Sequence, residues 1–489
     1  METQSGASIG TGKVGKAPMI SVREFSGLAS DSRAVKPGYL FAALSGAKED
    51  GARYIADAVK RGAVAVLGRA EARETAERLG VRFIVDENPR ARLAKFAAAF
   101  HDGQPKVVAA VTGTNGKTSV AVFLRQIWER LGRQAASLGT IGVVTPYGEI
   151  ALHHTTPDPV ELHTLLAQLA RAGVDHLALE ASSHGLDQYR LEGVEIAAAG
   201  FTNITRDHLD YHPSFEAYFA AKLRLFSEVV RADGIAVINM DAPGASDVLA
   251  ASKVRGLKIV TVGENGEMLK LVARTPHGDG QTLSIQGHGD VELPLAGSFQ
   301  AANALVAAGL AIGLGDSADK VLAALGSLKG APGRLEKVAY AKSGAPVYVD
   351  YAHTPDALET VLTAIRPHIS GKLHVVFGCG GDRDKGKRPL MGKAAYDFAD
   401  DVIVTDDNPR SEDPATIRAQ ALAGAPGARE IGDRASAIAE AIQSLGAGDG
   451  LVIAGKGHES GQTIGSETRP FSDRDEAIKA AVALGGRSA

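Results

Sequence analysis

Short apolar runs alternate with stretches of helical spacing along almost the whole chain. The apolar runs lie at 39–44, 63–67, 81–85, 107–111, 176–180, 197–201, 235–239, 347–350, 373–378, 401–405 and 450–454. The clearest helical stretches lie at 54–61, 69–79, 120–131, 214–231 and after residue 303 to about 314. Short β-branched runs separated by helices are typical of buried parallel strands. The pattern therefore predicts an α/β protein with mostly parallel, doubly wound sheets.

Two polar segments that contain Gly and Pro divide this pattern into three domains. Residues 102–105 (Asp-Gly-Gln-Pro) and residues 331–334 (Ala-Pro-Gly-Arg) interrupt the alternation. A chain of 489 residues is long enough for three domains that each have a core. We expect these domains at 18–103, 104–332 and 333–489. Residues 1–17 are rich in Gly and Ser, which predicts a disordered N-terminal extension.

The segment after the apolar run at 107–111 has the composition of a phosphate-binding loop. It reads Gly113-Thr-Asn-Gly-Lys-Thr-Ser119 and leads into a helix. Glycines let backbone N–H groups approach anionic oxygens, and the helix N-terminus adds partial positive charge. Lys117 would bind β- and γ-phosphate oxygens, and the Thr118 hydroxyl would hold Mg²⁺. Val111 stands where the longer pattern has its first glycine, so an ordinary strand-to-helix turn is the alternative to the predicted nucleoside triphosphate site.

Polar residues follow most of the predicted strands, where parallel sheets bind their ligands. In the middle domain these clusters lie at 180–184 and 203–210, and residues 155–158 (Thr-Thr-Pro-Asp) are predicted to cap a helix. In the last domain they lie at 350–353, 380–384, 406–410 and 455–459. Four such loops in one domain predict a convergent site for a small charged molecule. Near the N-terminus, Ser30-Asp31-Ser32-Arg33 favours a cap or surface turn over a ligand site.

The predicted helix at 214–231 carries a lysine, Lys222, on its apolar face. The stripe around this lysine consists of Phe215, Tyr218, Phe219, Leu225, Phe226 and Val229. A lysine in such a stripe must snorkel to water, pair with an anion or lose its charge. On spacing alone, snorkelling is favoured. The alternative is a neutral amine that reacts with CO₂, because the resulting carbamate oxygen can ligate a hard cation.

Composition narrows the class of protein further. Apolar residues make up 45% and charged residues 22%, as in ordinary globular proteins, and the net charge of -4 predicts no nucleic-acid partner. Cys379 is the only cysteine, which excludes an internal disulfide and a metal site with two cysteines. No apolar run is long enough to cross a bilayer. We expect a cytoplasmic monomer without membrane insertion.

Five motifs occur together along the chain. They are 112–118, 180–184 (Glu-Ala-Ser-Ser-His), 203–210 (Asn-Ile-Thr-Arg-Asp-His-Leu-Asp), 350–353 (Asp-Tyr-Ala-His) and 406–410 (Asp-Asp-Asn-Pro-Arg). As a set they resemble the Mur ligases of bacterial cell-wall synthesis, from about residue 20 to the C-terminus. The resemblance implies a UDP-substrate-binding domain, a central P-loop ATPase domain and a C-terminal Rossmann-like domain that binds an amino acid. It also implies ATP-dependent amide ligation through an acyl phosphate, with two Mg²⁺ ions.

The resemblance also assigns roles to individual residues. Catalysis would fall to Lys117, Glu180, His208 and a carbamylated Lys222, and the metal ligands would be Thr118, Glu180, His208 and Lys222. ATP would contact Gly113, Thr114, Asn115, Gly116, Lys117, Thr118, Ser119, Asn303, Arg334, Asp350 and His353. The UDP-N-acetylmuramoyl-dipeptide would contact Ser30, Ser32, Thr155, Thr156, Ser182, Gln188, Arg190 and Lys222. Gln300 departs from an asparagine that is common in the family.

Within the family, Arg410 makes the chain resemble the branch that adds diaminopimelate. This amino acid has a second carboxylate that lysine lacks, and an arginine fork matches a carboxylate with two parallel hydrogen bonds. The residues that would bind meso-diaminopimelate are Arg383, Asp407, Asn408, Pro409, Arg410, Gly455 and Glu459, with Glu459 accepting from the distal ammonium. A lysine substrate would leave Arg410 buried and unpaired, at a cost of about 2–5 kcal/mol. The alternatives are a lysine-adding ligase, a folylpolyglutamate synthetase-like ligase, a P-loop regulator without ligase chemistry and an inactive scaffold.

Overall fold

The computed structural model describes residues 21–46, 49–278 and 280–489, which form two compact units that divide between Asp102 and Gly103. The extension predicted at 1–17 lies outside the described residues. The elements of the first unit are β1 (Gly27–Ala29), β2 (Tyr39–Ala42), α1 (Ile55–Lys60), β3 (Ala63–Gly68), α2 (Arg73–Arg78), β4 (Arg82–Val85) and α3 (Pro89–His101). The strands form a parallel sheet in the order β1-β2-β3-β4.

The second unit begins with a long sheet. Its strands are β5 (Val107–Thr112), β6 (Ala135–Gly139), β7 (Gly142–Thr145), β8 (Gly148–Ile150), β9 (His176–Glu180), β10 (Ala198–Phe201), β11 (Ile235–Asn239), β12 (Lys258–Gly263), β13 (Leu269–His277), β14 (Gly280–Ile285) and β15 (Gly289–Leu293). Its helices are α4 (Lys117–Arg130), α5 (Pro159–Arg171), α6 (Ser183–Asp187), α7 (Phe215–Arg224), α8 (Ala245–Arg255), α9 (Ser298–Gly313) and α10 (Ala318–Leu325). The strand order is β15-β14-β13-β12-β11-β10-β5-β9-β6-β7-β8, with parallel pairing from β13 to β6 and antiparallel hairpins at both ends.

The second unit also contains a shorter sheet. Its strands are β16 (Glu336–Tyr340), β17 (Pro346–Asp350), β18 (Leu373–Phe377), β19 (Asp401–Val404), β20 (Arg429–Glu430), β21 (Gly450–Ala454) and β24 (Arg487–Ser488), and a separate hairpin is formed by β22 (Gly461–Ile464) and β23 (Glu467–Pro470). Its helices are α11 (Pro355–Ile365), α12 (Lys387–Phe398), α13 (Pro414–Leu422), α14 (Arg434–Ser444) and α15 (Asp473–Ala483). The strand order is β20-β19-β18-β21-β17-β16-β24. Strand β16 pairs antiparallel with both of its neighbours, β17 and β24, and the other pairs are parallel.

Alternate residues of the central strand β5 pack on opposite faces of the long sheet. Ala109 and Val111 pack with α4, α9 and α10, whereas Val108 and Ala110 pack with α5, α7 and α8. Because helices cover both faces, the strand is apolar throughout, as the sequence predicts. The segments after β10, β5 and β9 meet at one edge of this sheet, and those after β19, β18, β21 and β17 meet at one edge of the shorter sheet. The predicted α/β class with mostly parallel sheets is confirmed, whereas the exact domain boundaries stay predictions.

Several predicted elements differ from those in the structure. The helix predicted from residue 120 begins at Lys117, because Gly116 adopts the left-handed region (φ 86°) and ends the loop there. The helix predicted at 214–231 is α-helical only to Arg224 and continues as a π-helical turn, Leu225–Val229. Phe215, predicted on the buried stripe, is 37% exposed, since it lies in the first turn of α7.

The terminal hairpins of the long sheet are missing from the sequence prediction. Their outer strands, β8 and β15, are largely exposed and carry few apolar residues, so the pattern of apolar runs does not reveal them. Within the described part of the chain, the helices lack the length and apolar character that crossing a membrane requires.

Candidate active site

The loop between β5 and α4 is a close-packed glycine turn. Gly113 (φ 149°) and Gly116 (φ 86°) adopt backbone conformations that favour glycine. A Cβ atom at Gly113 would lie 1.9 Å from Thr202 Oγ1, and a Cβ atom at Gly116 would lie 2.3 Å from Asn303 Oδ1. Side chains would therefore clash at both positions. The second contact brings α9, with the predicted ATP residue Asn303, directly onto the loop.

The other loop residues are held by hydrogen bonds to neighbouring segments. The Thr114 hydroxyl lies 2.9 Å from Tyr218 OH on α7, and Asn115 N donates to Asn203 Oδ1 (3.0 Å) after β10. Ser119 is buried in the first turn of α4. The residues that support the loop are distant in sequence: Asn203 lies 88 positions after Asn115, and Tyr218 lies 104 positions after Thr114.

Lys117 folds back over the loop. Its Nζ donates to the Gly113 carbonyl (2.9 Å) and to the Thr114 carbonyl (2.7 Å). Within the described residues, no carboxylate forms an ion pair with this half-buried ammonium. Burial lowers its pKa from the ordinary value, and Glu180 opposes that shift. The ammonium is therefore available to an incoming anion.

Glu180 presents its carboxylate beside the first turn of α4. This side chain is 1% exposed, and its Oε2 accepts from Thr118 Oγ1 (3.1 Å) and from Thr140 Oγ1 (3.1 Å). Its Oε1 accepts from Thr140 N (2.8 Å). Thr118 and Glu180 thus place a hydroxyl and a carboxylate together, which are the hard oxygen donors that Mg²⁺ prefers. Thr140 was missed by the sequence reasoning, although it follows the buried strand β6 directly, as the other polar clusters follow theirs.

Lys222 points into the protein rather than toward water. It is 1% exposed, its Nζ donates to the Gly113 carbonyl (2.7 Å), and it lies 4.6 Å from the centre of the Tyr218 ring. The snorkelling favoured on spacing alone is therefore wrong, because the packing of α7 against the phosphate loop leaves the amine no path to solvent. Burial and the charge of Lys117 lower the pKa of Lys222 well below its ordinary value. Carbamylation of this amine stays a prediction.

His208 belongs to a cluster of aromatic rings near Lys222. Its ring centre lies 5.0 Å from that of His184 and 6.0 Å from that of Tyr218, and its backbone is left-handed (φ 52°). Partial burial lowers the pKa of His208, and burial together with His208 lowers the pKa of His184 to about 4. Neutral imidazoles can ligate metals. Across the described residues, no group of three or more His, Cys, Asp or Glu side chains is arranged as a metal site. The predicted ligand set also includes a hydroxyl and a modified lysine, and it stays a prediction.

Residues predicted to bind the UDP-linked dipeptide cluster beyond the end of β9. Thr156 Oγ1 donates to the Glu180 carbonyl (2.8 Å), and Arg190 Nη1 donates to the Thr156 carbonyl (2.6 Å). Gln188 Oε1 accepts from Arg190 Nη2 (2.8 Å). These contacts hold the Arg190 guanidinium in one orientation near the phosphate loop. A fixed cation at this place suits a ligand with carboxylates.

The remaining predicted residues of this group have structural contacts as well. Thr155 Oγ1 lies 3.1 Å from Thr140 Oγ1, and Ser182 Oγ caps α6 by accepting from Gly185 N (3.0 Å). Asp158 caps α5, as predicted from the Thr-Thr-Pro-Asp segment.

In the first unit, the segment with Ser30 and Ser32 forms a cap. Asp31 accepts from Arg33 N at the start of a 3₁₀ turn, Ser32–Ala34, in which Ser32 is buried. The cap or surface turn that the sequence favours at residues 30–33 is therefore confirmed. Contacts of Ser30 and Ser32 with a nucleotide stay a prediction.

The predicted ATP residues near the break at 331–334 approach the phosphate loop through α9. Gln300 Nε2 donates to the Arg334 carbonyl (2.9 Å), while the buried Gln300 Oε1 has no partner among the described residues. The Arg334 guanidinium lies 4.7 Å from the centre of the Tyr351 ring. A residue that departs from the family pattern thus positions the backbone of Arg334.

Asp350 and His353 lie at the end of β17. Asp350 accepts from Leu335 N (2.6 Å) and Ala352 N (2.7 Å), and burial raises its pKa to about 6 against the opposing charge of Arg334. His353 is exposed, with its Nδ1 2.9 Å from the Tyr351 carbonyl. Asp350 therefore fixes the segment that carries Arg334, whereas the ring of His353 packs against that of Tyr351, 4.6 Å between centres.

The residues predicted to bind the amino acid converge at the edge of the shorter sheet. Asn408 Nδ2 donates to Glu459 Oε2 (3.0 Å), and Arg410 Nη1 donates to the Gly381 carbonyl (2.8 Å). Gly455 (φ 119°) lies so close to this loop that a Cβ atom there would be 2.8 Å from Asp407 Oδ2.

Arginines and proline complete this group. Pro409 is buried, Arg410 adopts the left-handed region (φ 53°), and Arg383 is exposed. A Cβ atom at Gly380 would lie within 4 Å of both arginine side chains. Arg410 is half-buried, so the expectation that it would be left buried by a lysine substrate is only partly met. The reason is that the loop of Arg410 follows β19 at the edge of the shorter sheet, where it is partly open to solvent.

Three buried cations beside these residues were missed: Arg388, whose Nη2 donates to the Gly380 carbonyl (3.2 Å), and Lys456 and Arg434. Lys456 is fully buried and its Nζ donates to Asn408 Oδ1 (3.2 Å) and Glu459 Oε2 (3.0 Å). Arg434 is 1% exposed, pairs with the buried Asp473 (2.7 Å), and donates to the carbonyls of Asp406 (3.3 Å) and Ala454 (3.0 Å). Arg434 thus ties together the loops after β19 and β21. Lys456 lies inside a cluster that the sequence analysis marked, but Arg434 begins a helix and carries no local signal.

Comparisons with known proteins agree with this architecture. Three family descriptions match the chain: the Mur ligase family catalytic domain at 24–101, the Mur ligase middle domain at 111–311, and the Mur ligase glutamate ligase domain at 333–457. The chain is 55% identical to a UDP-N-acetylmuramoyl-L-alanyl-D-glutamate--2,6-diaminopimelate ligase of Bradyrhizobium diazoefficiens, over 95% of this chain and 96% of that protein. It is 56% identical to the ligase of the same name from Mesorhizobium japonicum, over 94% and 95% of the two chains.

Solved structures show the same relationship. A structure of a ligase with that name has 36% sequence identity and a TM-score of 0.71, over 94% of this chain and 95% of its own. The structure of a UDP-N-acetylmuramoylalanyl-D-glutamyl-2,6-diaminopimelate--D-alanyl-D-alanyl ligase from Acinetobacter baumannii shares the fold. Its identity is 20% and its TM-score 0.59, over 89% of this chain and 90% of its own. From the identity and coverage of these relatives, the chain belongs to the Mur ligase family, as its motifs predict.

Proposed function

We propose that this chain is an ATP-dependent amide ligase that adds meso-diaminopimelate to UDP-N-acetylmuramoyl-L-alanyl-D-glutamate in cytoplasmic peptidoglycan precursor synthesis. Relatives that are 55% and 56% identical over almost the whole chain bear the name of that ligase and support the proposal. One observation carries the choice of amino acid. Asn408 donates to Glu459 Oε2 and Arg410 lies two residues further along the same loop, so this segment would offer a carboxylate fork and an ammonium acceptor together.

The first step in this proposal is attack of the substrate carboxylate on the γ-phosphate of ATP, which yields an acyl phosphate and ADP. Both reactants are anionic, so their repulsion is the main electrostatic barrier. Lys117 lies at the loop without a carboxylate partner among the described residues, and it would offset that repulsion together with Mg²⁺. Mg²⁺ fits the paired oxygens of Thr118 and Glu180 and would neutralise phosphate charge when bound. Arg190, held by Thr156 and Gln188, would orient the substrate carboxylates.

In the second step, the amine of the amino acid attacks the acyl carbon and phosphate leaves. The pocket of Arg410, Asn408 and Glu459 would hold the far end of diaminopimelate and direct its reacting amine toward the phosphate loop. Asp350 and Gln300 would keep Arg334 near the ATP, since both hold the backbone around it. Exclusion of water from this site would protect the acyl phosphate from hydrolysis.

A carbamate on Lys222 is part of the proposal. The lowered pKa of Lys222 favours the neutral amine, which is the form that adds to CO₂. Together with His208, the modified side chain would supply ligands for a second Mg²⁺ ion. The predicted ATP and substrate residues described above complete the proposed site.

The test is phosphate release with ATP, Mg²⁺ and UDP-N-acetylmuramoyl-L-Ala-D-Glu, with meso-diaminopimelate or L-lysine as the second substrate. We expect strong turnover with diaminopimelate alone. Turnover with lysine instead would contradict the assigned pocket and favour a lysine-adding ligase. No turnover with either would contradict the proposal and favour a folylpolyglutamate synthetase-like activity, and ATP hydrolysis that needs neither substrate would favour a regulator.

A further inference from the structure

The amino-acid pocket contains a buried lysine that the proposed chemistry does not use. Lys456 follows strand β21 by two residues and is 0% exposed. Its Nζ lies 3.0 Å from Glu459 Oε2, 3.2 Å from Asn408 Oδ1 and 4.0 Å from Asp407 Oδ1. A fully buried ammonium is costly unless charged and polar partners surround it, and here every partner belongs to the pocket.

Lys456 fixes the orientation of the Asn408 amide. Asn408 Oδ1 accepts from Lys456 Nζ and from Thr463 N (2.9 Å), and both of these groups are donors only. The amide oxygen must therefore face Lys456 Nζ and Thr463 N, which leaves the amide nitrogen to donate to Glu459 Oε2 (3.0 Å). A flipped amide would set an N–H group against an ammonium.

Lys456 also decides which oxygen of Glu459 is available. Glu459 Oε2 accepts from both Lys456 Nζ and Asn408 Nδ2, so it is already occupied. Within the described residues, Oε1 makes no hydrogen bond, and the side chain is only partly buried. One carboxylate oxygen is thus held in place and the other is left for a ligand.

We propose that Lys456 is a positioning residue of the amino-acid pocket, which orients Asn408 and reserves Glu459 Oε1 for the distal ammonium group of the amino-acid substrate. This inference rests on the proposed function, because it concerns the pocket assigned to diaminopimelate there. Lys456 itself does not touch the substrate. It acts through Glu459 and Asn408.

The test compares Michaelis constants for the full-length enzyme. Lys456→Met keeps most of the volume but removes the donor and the charge, so we expect KM for diaminopimelate to rise 10- to 100-fold while KM for ATP and for the UDP-linked dipeptide changes less than twofold. Lys456→Gln keeps one donor and should show a smaller rise. The matched control is Lys393→Met, which removes an exposed lysine paired with Asp397 on α12, and it should leave all three KM values unchanged.

A double-mutant cycle with Glu459→Gln separates positioning from general stability. If Lys456 acts through Glu459, Lys456→Met should add less than threefold to KM once Glu459→Gln is present. A full additional rise in the double variant, or an unchanged KM in Lys456→Met, would overturn the inference. If Lys456→Met does not fold, as judged by thermal unfolding, Lys456→Gln takes its place in the same cycle. Absence of turnover with diaminopimelate in the unmodified enzyme would instead overturn the proposed function and this inference with it.

Discussion

The two sheet edges of the second unit that carry the proposed ligand sites differ in whether their buried cations are paired with carboxylates. At the edge of the long sheet, Lys117 and Lys222 donate to the backbone carbonyls of the phosphate loop, and within the described residues neither has a carboxylate partner. At the edge of the shorter sheet, the buried cations pair with carboxylates. The pairs there are Lys456–Glu459 (3.0 Å), Arg434–Asp473 (2.7 Å) and Arg388–Glu412 (2.9 Å).

This difference matches the charge of the proposed ligands. ATP is a polyanion, so the unpaired ammonium of Lys117 gains a counter-charge when ATP binds, whereas the proposed carbamate removes the positive charge of Lys222. An amino acid carries both positive and negative groups. A pocket for it therefore needs cations and anions that are already paired with each other, together with a few unpaired polar groups that bind the ligand. The cost of the first arrangement is visible in the lowered pKa values of Lys117 and Lys222.

The largest effect should come from replacing Lys117, the unpaired cation at the edge of the long sheet. Lys117→Met removes a cation from the loop, and we expect kcat/KM to fall at least a thousandfold, which is about 4 kcal/mol of transition-state stabilisation. Thermal stability should be unchanged or higher, because an ammonium without an ion pair is removed. Steady-state kinetics and thermal unfolding measure the two quantities. A loss below tenfold would mean that the loop does not bind phosphate as proposed.

At the edge of the shorter sheet, where cations and carboxylates are paired, Arg410→Ala should impair the use of diaminopimelate but not of ATP. We expect kcat/KM for diaminopimelate to fall about a hundredfold, since a partly exposed carboxylate fork is worth about 3 kcal/mol. KM for ATP should stay within twofold. Arg410→Lys should not restore activity, because a point charge does not replace the fork. Equal losses for both ligands would contradict the separation of the two edges.

Removal of CO₂ should distinguish Lys222, the proposed carbamate, from Lys117. If Lys222 is carbamylated, degassed buffer should lower activity several-fold and added bicarbonate should restore it. With ¹³CO₂, a carbamate signal should appear in the NMR spectrum of the unmodified enzyme and disappear in Lys222→Ala. The same signal in Lys222→Ala, or its absence from both proteins, would contradict the carbamate.

A smaller effect is expected from Asp350, which lies at the end of β17 beside the ATP residues. Its pKa is raised by burial to about 6, so the folded protein binds more protons than the unfolded chain between about pH 4 and 6. The stability contributed by this group is present below its unfolded pKa and is lost as pH rises through 6.

Chemical denaturation of the unmodified protein and of Asp350→Asn measures this contribution. From pH 5 to 7.5, the unmodified protein should lose about 1 kcal/mol relative to the variant. A constant difference between the two proteins would show that Asp350 does not titrate in this range, and it would contradict a pKa near 6.

The sequence by itself determined the α/β class with its buried parallel strands, the glycine-rich loop motif and the family. These features are local: an apolar run that must be buried on both faces, a glycine turn with φ values that favour glycine, and capping residues such as Asp158 all act within a few positions. Motif order adds the rest, because the five motifs follow strands whose carboxyl ends meet at the edges of parallel sheets.

Only the tertiary structure decided where the buried side chains of the site point. Spacing favoured an exposed amine for Lys222, but the packing of α7 against β5 turns it onto Gly113, which is 109 positions away in the chain. Lys456 meets Asn408 across 48 positions, and Thr140 meets Glu180 across 40. No local pattern encodes such contacts, since the direction of a buried polar group depends on which distant donor or acceptor the fold brings to it.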